Sequence, residues 1–506
     1  MPTAFRALLS VLMLVGFYVL AIALLVGCGA VAVLAFQHHS GAAAVKFGFL
    51  TVVVAVGIVM ALVRVARSQR ALRSTDADDV ALAPEDAPEL WDLVRELADV
   101  AGTRAPDTIV LAPVVNAAVS EESRLLGLVG GRRTLVLGVP LVQGLTVGRL
   151  RSVLGHEIGH YSNAHTRLSP IAYRGRAVVG ETVAHLEGNL VGWLLRQYAK
   201  AYLVASAAVS RAQELEADRL SVRVAGRRTA QDALRELPVV DAAWSFYQER
   251  YLAPAWSRGY ATTAEGFFGG FALLLAARAD DLARLRGQEA PGGRSRWDSH
   301  PPIAQRVAAM DRLPDDATSD DDRPATALVP GFERAAAELA GRVVDFGDRE
   351  RLGWDRLVPA FMAASDRADA DAVYAAAARV AHRPSAGLGT LLDLVEGGHG
   401  DDLVRAVVSR EALEQPDSLG AALRSLLALG VQEAAVRSGA AAWQGSWSAP
   451  AELVGRDAKG EVLDVERVVA LAVDPATVDD ARAALAAAGV DLAREARAAA
   501  APAAAR

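Results

Sequence analysis

The chain has 506 residues, a net charge of −7 and a pI near 5.8, a balance that argues against nucleic acid as its partner. Its single cysteine, Cys28, excludes an intramolecular disulfide and the Cys-rich zinc modules, so any zinc must be held by His and carboxylate. A hydrophobic share of 52% with positive mean hydropathy points to membrane segments, and the length allows two or three domains.

Residues 7–36 contain no charged residue and are rich in Leu, Val and Ala. About 20 apolar residues cross a bilayer, so this run is long enough even when tilted. A secretory signal peptide is the alternative, but its apolar core is normally only about 7–15 residues. A second apolar run lies within 43–65, and the short link between the two makes residues 1–73 a transmembrane hairpin. Arg6 precedes the hairpin and Arg64, Arg67, Arg70 and Arg73 follow it. The positive-inside rule then puts both ends, and the domain that follows, in the cytoplasm.

Residues 74–87 read as an acidic linker, and 89–101 carry helical period through Leu90, Leu93, Val94 and Leu97. The runs 108–119 and 133–139 read as strands bounded by Gly and Pro. Residues 145–163 read as a buried helix, with Thr146 as half a capping box because Arg149 stands where Glu would complete it. Residues 170–210 hold apolar blocks too short to span a membrane, and read as long helices against the membrane or the site. Residues 266–277 read as a core helix. The acidic, proline-flanked stretch 314–324 reads as a linker, which gives a domain at 74–313 and an all-helical domain at 325–506. A small hairpin is expected at 454–462. The fold class expected is α+β, mostly α-helical, with a small β-sheet.

The helix 145–163 contains His156-Glu157-Ile158-Gly159-His160. Residues four apart share a helix face, so His156 and His160 can aim two nitrogens at one ion about 2.0–2.1 Å away. Glu157 stands beside the first ligand, where it can hold the metal's water without being a ligand: the metalloprotease arrangement. With nine His in the chain, chance gives this pattern in on the order of one such chain in a hundred. Downstream, Glu214 and Asp218 also share a helix face. One carboxylate can bind the ion while the other accepts an N–H from a ligand histidine. A rival ligand, His165, is one position out of the metzincin register, where Asn163 and Thr166 stand at the places for Gly and His. His185, His382 and His399 have no partners at useful spacing.

These pieces together resemble the HtpX/CAAX-prenyl-protease family of integral-membrane zinc metalloproteases. The matching features are the N-terminal hairpin, Asn116-Ala117, His156-Glu-Ile-Gly-His160 with Asn163 and His165, Ser210-Arg211 through Glu214-Leu-Glu-Ala-Asp218, and His300-Pro-Pro-Ile-Ala-Gln-Arg306. The likeness covers roughly residues 1–312. It implies a gluzincin-type domain with one Zn2+ per chain, held by His156, His160 and Glu214, with Asp218 behind them and Glu157 as general base. It also implies that His300, Arg306 and Asn116 shape the substrate or oxyanion side of the cleft. For His300, a helix-start role before Pro-Pro is the alternative. The two further spans usual in the HtpX branch are not evident, and 325–506 lies outside the family core.

The leading expectation is a multi-pass plasma-membrane zinc endopeptidase facing the cytoplasm and acting on membrane-associated or misfolded proteins, its partners being protein substrates and the bilayer. A CAAX-type processing protease, which would require a lipidated substrate C-terminus, is the alternative enzyme. A membrane scaffold whose helical module 325–506 binds a protein partner is the alternative of another class. The substrate main chain is expected to pair with an edge strand, either 108–119 or 133–139.

Overall fold

The computed structural model describes residues 3–38, 40–49, 51–52, 55–56, 79–121, 131–161, 179, 190–288, 301–315, 321–409, 418–455 and 463–497. His300, Asn163, His165, His185, the loop 290–299, most of the second apolar run and the tail from 498 lie outside these residues. The chain forms two compact units, 1–244 with 279–344, and 245–278 with 345–506. It is mostly helical, with small sheets.

The first unit opens on α1, Thr3–Gln37. Its window Leu9–Gln37 is long and apolar enough to cross a membrane, with a mean hydropathy of 2.8. Leu12, Val19, Ile22 and Val26 are exposed along it. A long apolar helix that shows its side chains outward needs an apolar solvent, and a bilayer provides one. Strand β1, Val80–Leu82, follows, then α2, Pro88–Ala101. Three residues are too few to show a period, which is why β1 read as linker. Pro88 starts α2, and Gly102 ends it at φ 66°, a left-handed cap that glycine adopts without strain.

Strands β2, Thr108–Ala112, β3, Ala117–Glu121, and β4, Arg133–Gly138, complete a four-stranded sheet in the order β1-β2-β4-β3. The expected strand 108–119 is therefore two strands. Pro113, which has no N–H to give a ladder, falls at the break. β2 and β4 run parallel, while β3 is antiparallel to β4. The run 133–139 thus lies between β2 and β3, and cannot be the edge that takes a substrate. β3 is the edge on that side.

Helix α3, Val147–Gly159, carries the His-Glu pattern. Thr146 caps it, its hydroxyl accepting from Arg149 N at 3.3 Å. Val147 N donates to Arg323 O (2.8 Å) and Gly148 N to Asp321 O (2.9 Å), so the first-turn N–H groups that no helix satisfies internally find partners here. Arg323 and Asp321, in the described part of the stretch read as an acidic linker, are thus hydrogen-bonded to the start of α3. Helix α4, Leu190–Ala225, is one continuous rod of 36 residues. Its first half packs on α1: Leu195, Ala199 and Tyr202 are buried in one cluster with Leu14, Phe17, Ala21 and Cys28, and Tyr198 donates to Met13 O at 2.9 Å. Its second half packs on α3. Helices α5, Arg227–Tyr247, α6, Ala279–Arg286, α7, Ile303–Met310, and α8, Phe332–Val343, follow, the end of α5 from Ser245 counting with the second unit.

In the second unit the core helix expected at 266–277 is Ala264–Ala277, with Phe267, Phe268, Phe271 and Leu274 buried. Around α9, Trp354–Val380, pack α10, Leu388–Glu396, α11, Gly400–Val407, and α12, Ser418–Arg437. α12 is also long and apolar enough to cross a membrane, but Leu426, Leu427, Val431 and Ala434 bury it in this unit's core. A hairpin pairs Ala441–Gln444 with Glu452–Gly455, while the hairpin expected at 454–462 lies largely outside the described residues. Residues 456–462 are outside the description.

Candidate metal centre

The site forms where α3 and α4 cross closely, and small residues make that crossing possible. A Cβ on Gly155 would stand 2.5 Å from Val224 Cγ2, and one on Gly159 3.2 Å from Ala217 Cα. Ser152 and Ser221, both buried, join their hydroxyls at 2.7 Å in the same seam. Real Cβ atoms do not sit 2.5 Å from a methyl carbon, so Gly155→Val must push the helices apart. Its expected cost is about 1–3 kcal/mol of stability, the usual range for overpacking, read as a lower denaturant midpoint. An unchanged midpoint would mean that the seam does not set the crossing.

Across this seam His156 and His160 meet Glu214. Their donor atoms all lie within 4.8 Å of one another. His156 Nε2 is 3.5 Å from Glu214 Oε2, and His160 Nε2 is 3.7 Å from Glu214 Oε1. The two rings stand edge to face, centroids 4.8 Å apart. Tetrahedral coordination with bonds of 2.0–2.1 Å puts neighbouring donors roughly 3.3 Å apart. The two His–Glu separations, 3.5 and 3.7 Å, lie near that value, and a donor set within 4.8 Å is compact enough to close on such an ion by side-chain rotation.

Asp218, one turn beyond Glu214 on α4, holds the other side of His156. Its Oδ1 lies 3.1 Å from His156 Nδ1, and its side chain is 2% exposed. Arg306 reaches in from α7: Nε is 2.9 Å from Asp218 Oδ2, Nη2 is 2.5 Å from Oδ1, and Nη1 is 3.5 Å from Glu214 Oε2. Glu157 is half-buried on α3, near enough for its charge to act on both His156 and Arg306. The structure thus gathers His156, Glu157, His160, Glu214, Asp218 and Arg306. Asn116 stands exposed at the head of β3, where its main-chain oxygen accepts from Gly138 N at 2.8 Å. No hydrogen bond or ion pair among the described residues ties its side chain to the cluster. One residue not foreseen from sequence is Tyr161, whose hydroxyl donates to Val119 O on β3 at 2.5 Å. Its place directly after His160 was its only signal.

Electrostatics at the cluster favour charge on His156 when no ion is bound. Burial works against an imidazolium, but the Asp218 and Glu214 carboxylates outweigh it and raise His156 to about 9. For Asp218, burial is likewise outweighed, and Arg306 and His156 hold it below the usual carboxylate range. Since the folded value for His156 lies above the ordinary 6.5, its contribution to stability is full below pH 6.5 and is lost as pH rises through about 9. The chelator-stripped protein is therefore expected to lose urea resistance between pH 6.5 and 9. His156→Gln should remove that slope, and an equal slope in the variant would place its origin elsewhere.

Residues 84–313 match the family described as Peptidase family M48. That match spans every donor just described. This segment belongs to the M48 peptidase family. Over 145 residues the chain is 32% identical to the protease HtpX homolog of Listeria innocua serovar 6a, covering 28% of this chain and 45% of that protein. The chain thus spans less than half the length of the curated relative it matches, and the resemblance read from the motifs is borne out as an HtpX-type M48 segment. No solved structure matches the chain.

Proposed function

We propose that the chain is a membrane-anchored zinc endopeptidase that hydrolyses peptide bonds of membrane-associated or misfolded proteins. The observation that carries this reading is the triangle of His156, His160 and Glu214 with Glu157 one residue from a ligand. A Zn2+ held there supplies a Lewis acid and lowers the pKa of a bound water from 15.7 to about 7. Glu157 orients the attacking water, takes its proton and delivers it to the leaving amine. Asp218 keeps the Nδ1 proton of His156 on its own side, so that Nε2 presents its lone pair.

The substrate main chain pairs along β3. Gly138 N donates to Asn116 O, so the hydrogen-bonded pairs with β4 fall at alternate residues from Asn116. Ala117, Val119 and Glu121 then turn their N–H and C=O groups to the open edge, where Tyr161 already holds the Val119 carbonyl. Asn116, exposed at the head of this edge, would act on the substrate side, and His300 is assigned there from the sequence alone. The outward apolar side chains of α1 favour anchoring in a bilayer, and the run of arginines from Arg64 to Arg73 favours a cytoplasmic site.

Detergent-solubilised full-length protein is expected to cleave casein, to stop with 1,10-phenanthroline and to recover with added Zn2+. A requirement for a prenylated C-terminal peptide in place of casein would favour the CAAX-type reading. Chelator-insensitive cleavage would overturn the zinc mechanism, and cleavage of neither substrate would overturn the protease reading and leave the helical module expected at 325–506 as a partner-binding surface.

A further inference from the structure

From sequence, Arg306 belongs with the groups that face substrate, as a cation for a developing oxyanion. Its hydrogen bonds are committed otherwise. Nε and Nη2 take both oxygens of Asp218, at 2.9 and 2.5 Å, in the two-pronged geometry that fixes a carboxylate's plane as well as its position. Nη2 lies 3.2 Å from His156 Nδ1 because both nitrogens converge on Asp218 Oδ1. The remaining nitrogen, Nη1, faces the ligand carboxylate of Glu214. The side chain is 11% exposed.

The arm that delivers Arg306 is itself fixed. Met310 of α7 is buried in one cluster with Val222 of α4 and with Ala230 and Leu234 of α5. The Gln231 amide donates to Val307 O (3.2 Å) and to Asp311 Oδ1 (2.7 Å), and Arg227 Nη1 donates to Asp311 O (3.1 Å). α7 is thus docked on α4 and α5, and the line of contacts from Arg306 through Asp218 and His156 to Glu214 runs across α7, α4 and α3.

We infer that Arg306 is a positioning residue for the metal ligands. By gripping both oxygens of Asp218 it stops that carboxylate from rotating, and so holds His156 with Nδ1 toward Asp218 and Nε2 toward the ion. A free Asp218 could swing one oxygen away, and the imidazole would lose the partner that sets its tautomer and ring angle. A guanidinium already neutralised by a carboxylate is also a poor electrophile for an oxyanion. The inference rests on the reading of His156 as a zinc ligand.

The test is zinc affinity of the full-length protein in detergent, by competition with a chromophoric chelator, for wild type, Arg306→Gln, Arg306→Lys, Asp218→Asn and the double variant Asp218→Asn/Arg306→Gln. Arg306→Gln is expected to weaken zinc binding by about 10–100-fold, the usual loss for a group that orients a ligand. Arg306→Lys, which keeps the charge without the fork, should fall between it and wild type. The double variant should bind zinc no more weakly than Asp218→Asn alone, since both changes break one link. Should Arg306→Gln not fold, the Lys variant carries the same comparison. Wild-type zinc affinity in both Arg306 variants with a lower kcat at unchanged KM would overturn the inference and restore the oxyanion role. Losses that add in the double variant would also overturn it. Wild-type protein that binds no zinc would instead overturn the proposed function.

Discussion

Replacing Glu157 by Gln is expected to lower kcat/KM for casein by about 10²–10⁴-fold, the contribution of a positioned general base, while the purified variant keeps its zinc. Gln has nearly the volume of Glu and can still hydrogen-bond to water, but its amide cannot accept the proton that the reaction must move. Glu157 is next in sequence to a donor and outside the triangle of His156, His160 and Glu214, so the ion should not notice the change. Parallel metal analysis and peptide-hydrolysis assays read the two effects separately. Zinc lost together with activity would mean that Glu157 is a ligand, and undiminished activity would mean that the base lies elsewhere.

Glu214→Ala should have the larger effect on the metal. Glu214 is buried and places its two oxygens 3.5 and 3.7 Å from the two histidine nitrogens, so its loss removes one of three protein donors. The variant is expected to be stripped of zinc by a chelator concentration that leaves wild type loaded, and to lose chelator-sensitive hydrolysis with it. Asp218→Asn, which disturbs a ligand's orientation and keeps all three donors, should lose only about 10–100-fold in affinity. Equal zinc retention in Glu214→Ala and wild type would remove Glu214 from the ligand set. The Ala variant also leaves Arg306 and His156 with one carboxylate fewer between them. Its thermal midpoint should therefore be measured with zinc absent, to separate metal loss from a weakened fold.

The donors were legible in sequence because local geometry sets them. Four residues make one helical turn, so His156 with His160, and Glu214 with Asp218, had to share faces wherever their helices lay. What brings the two helices together was not legible. Gly155, Gly159 and the Ser152–Ser221 contact act across 58 to 69 residues of sequence, and a glycine that admits a neighbouring helix looks in sequence like any other. α4 read as broken blocks because Arg196 and Lys200 interrupt its apolar run, yet single charges within an apolar run leave a helix intact. The division at 314–324 was drawn from composition. In the structure, 245–278 joins the later unit and 325–344 the earlier, since hydrophobic packing has no regard for sequence order. Arg306 read as a substrate-side group, and its grip on Asp218 depends on how α7 docks against α4 and α5, which no local pattern encodes.

The most direct measurement is the zinc content of detergent-purified wild type beside His160→Ala, with metal determined by mass spectrometry on protein of known concentration. The account predicts about one zinc per wild-type chain, as three protein donors with an open fourth position imply, and a large loss in His160→Ala. Wild-type protein that stays zinc-free after incubation with Zn2+, or His160→Ala protein that holds as much as wild type, would contradict it.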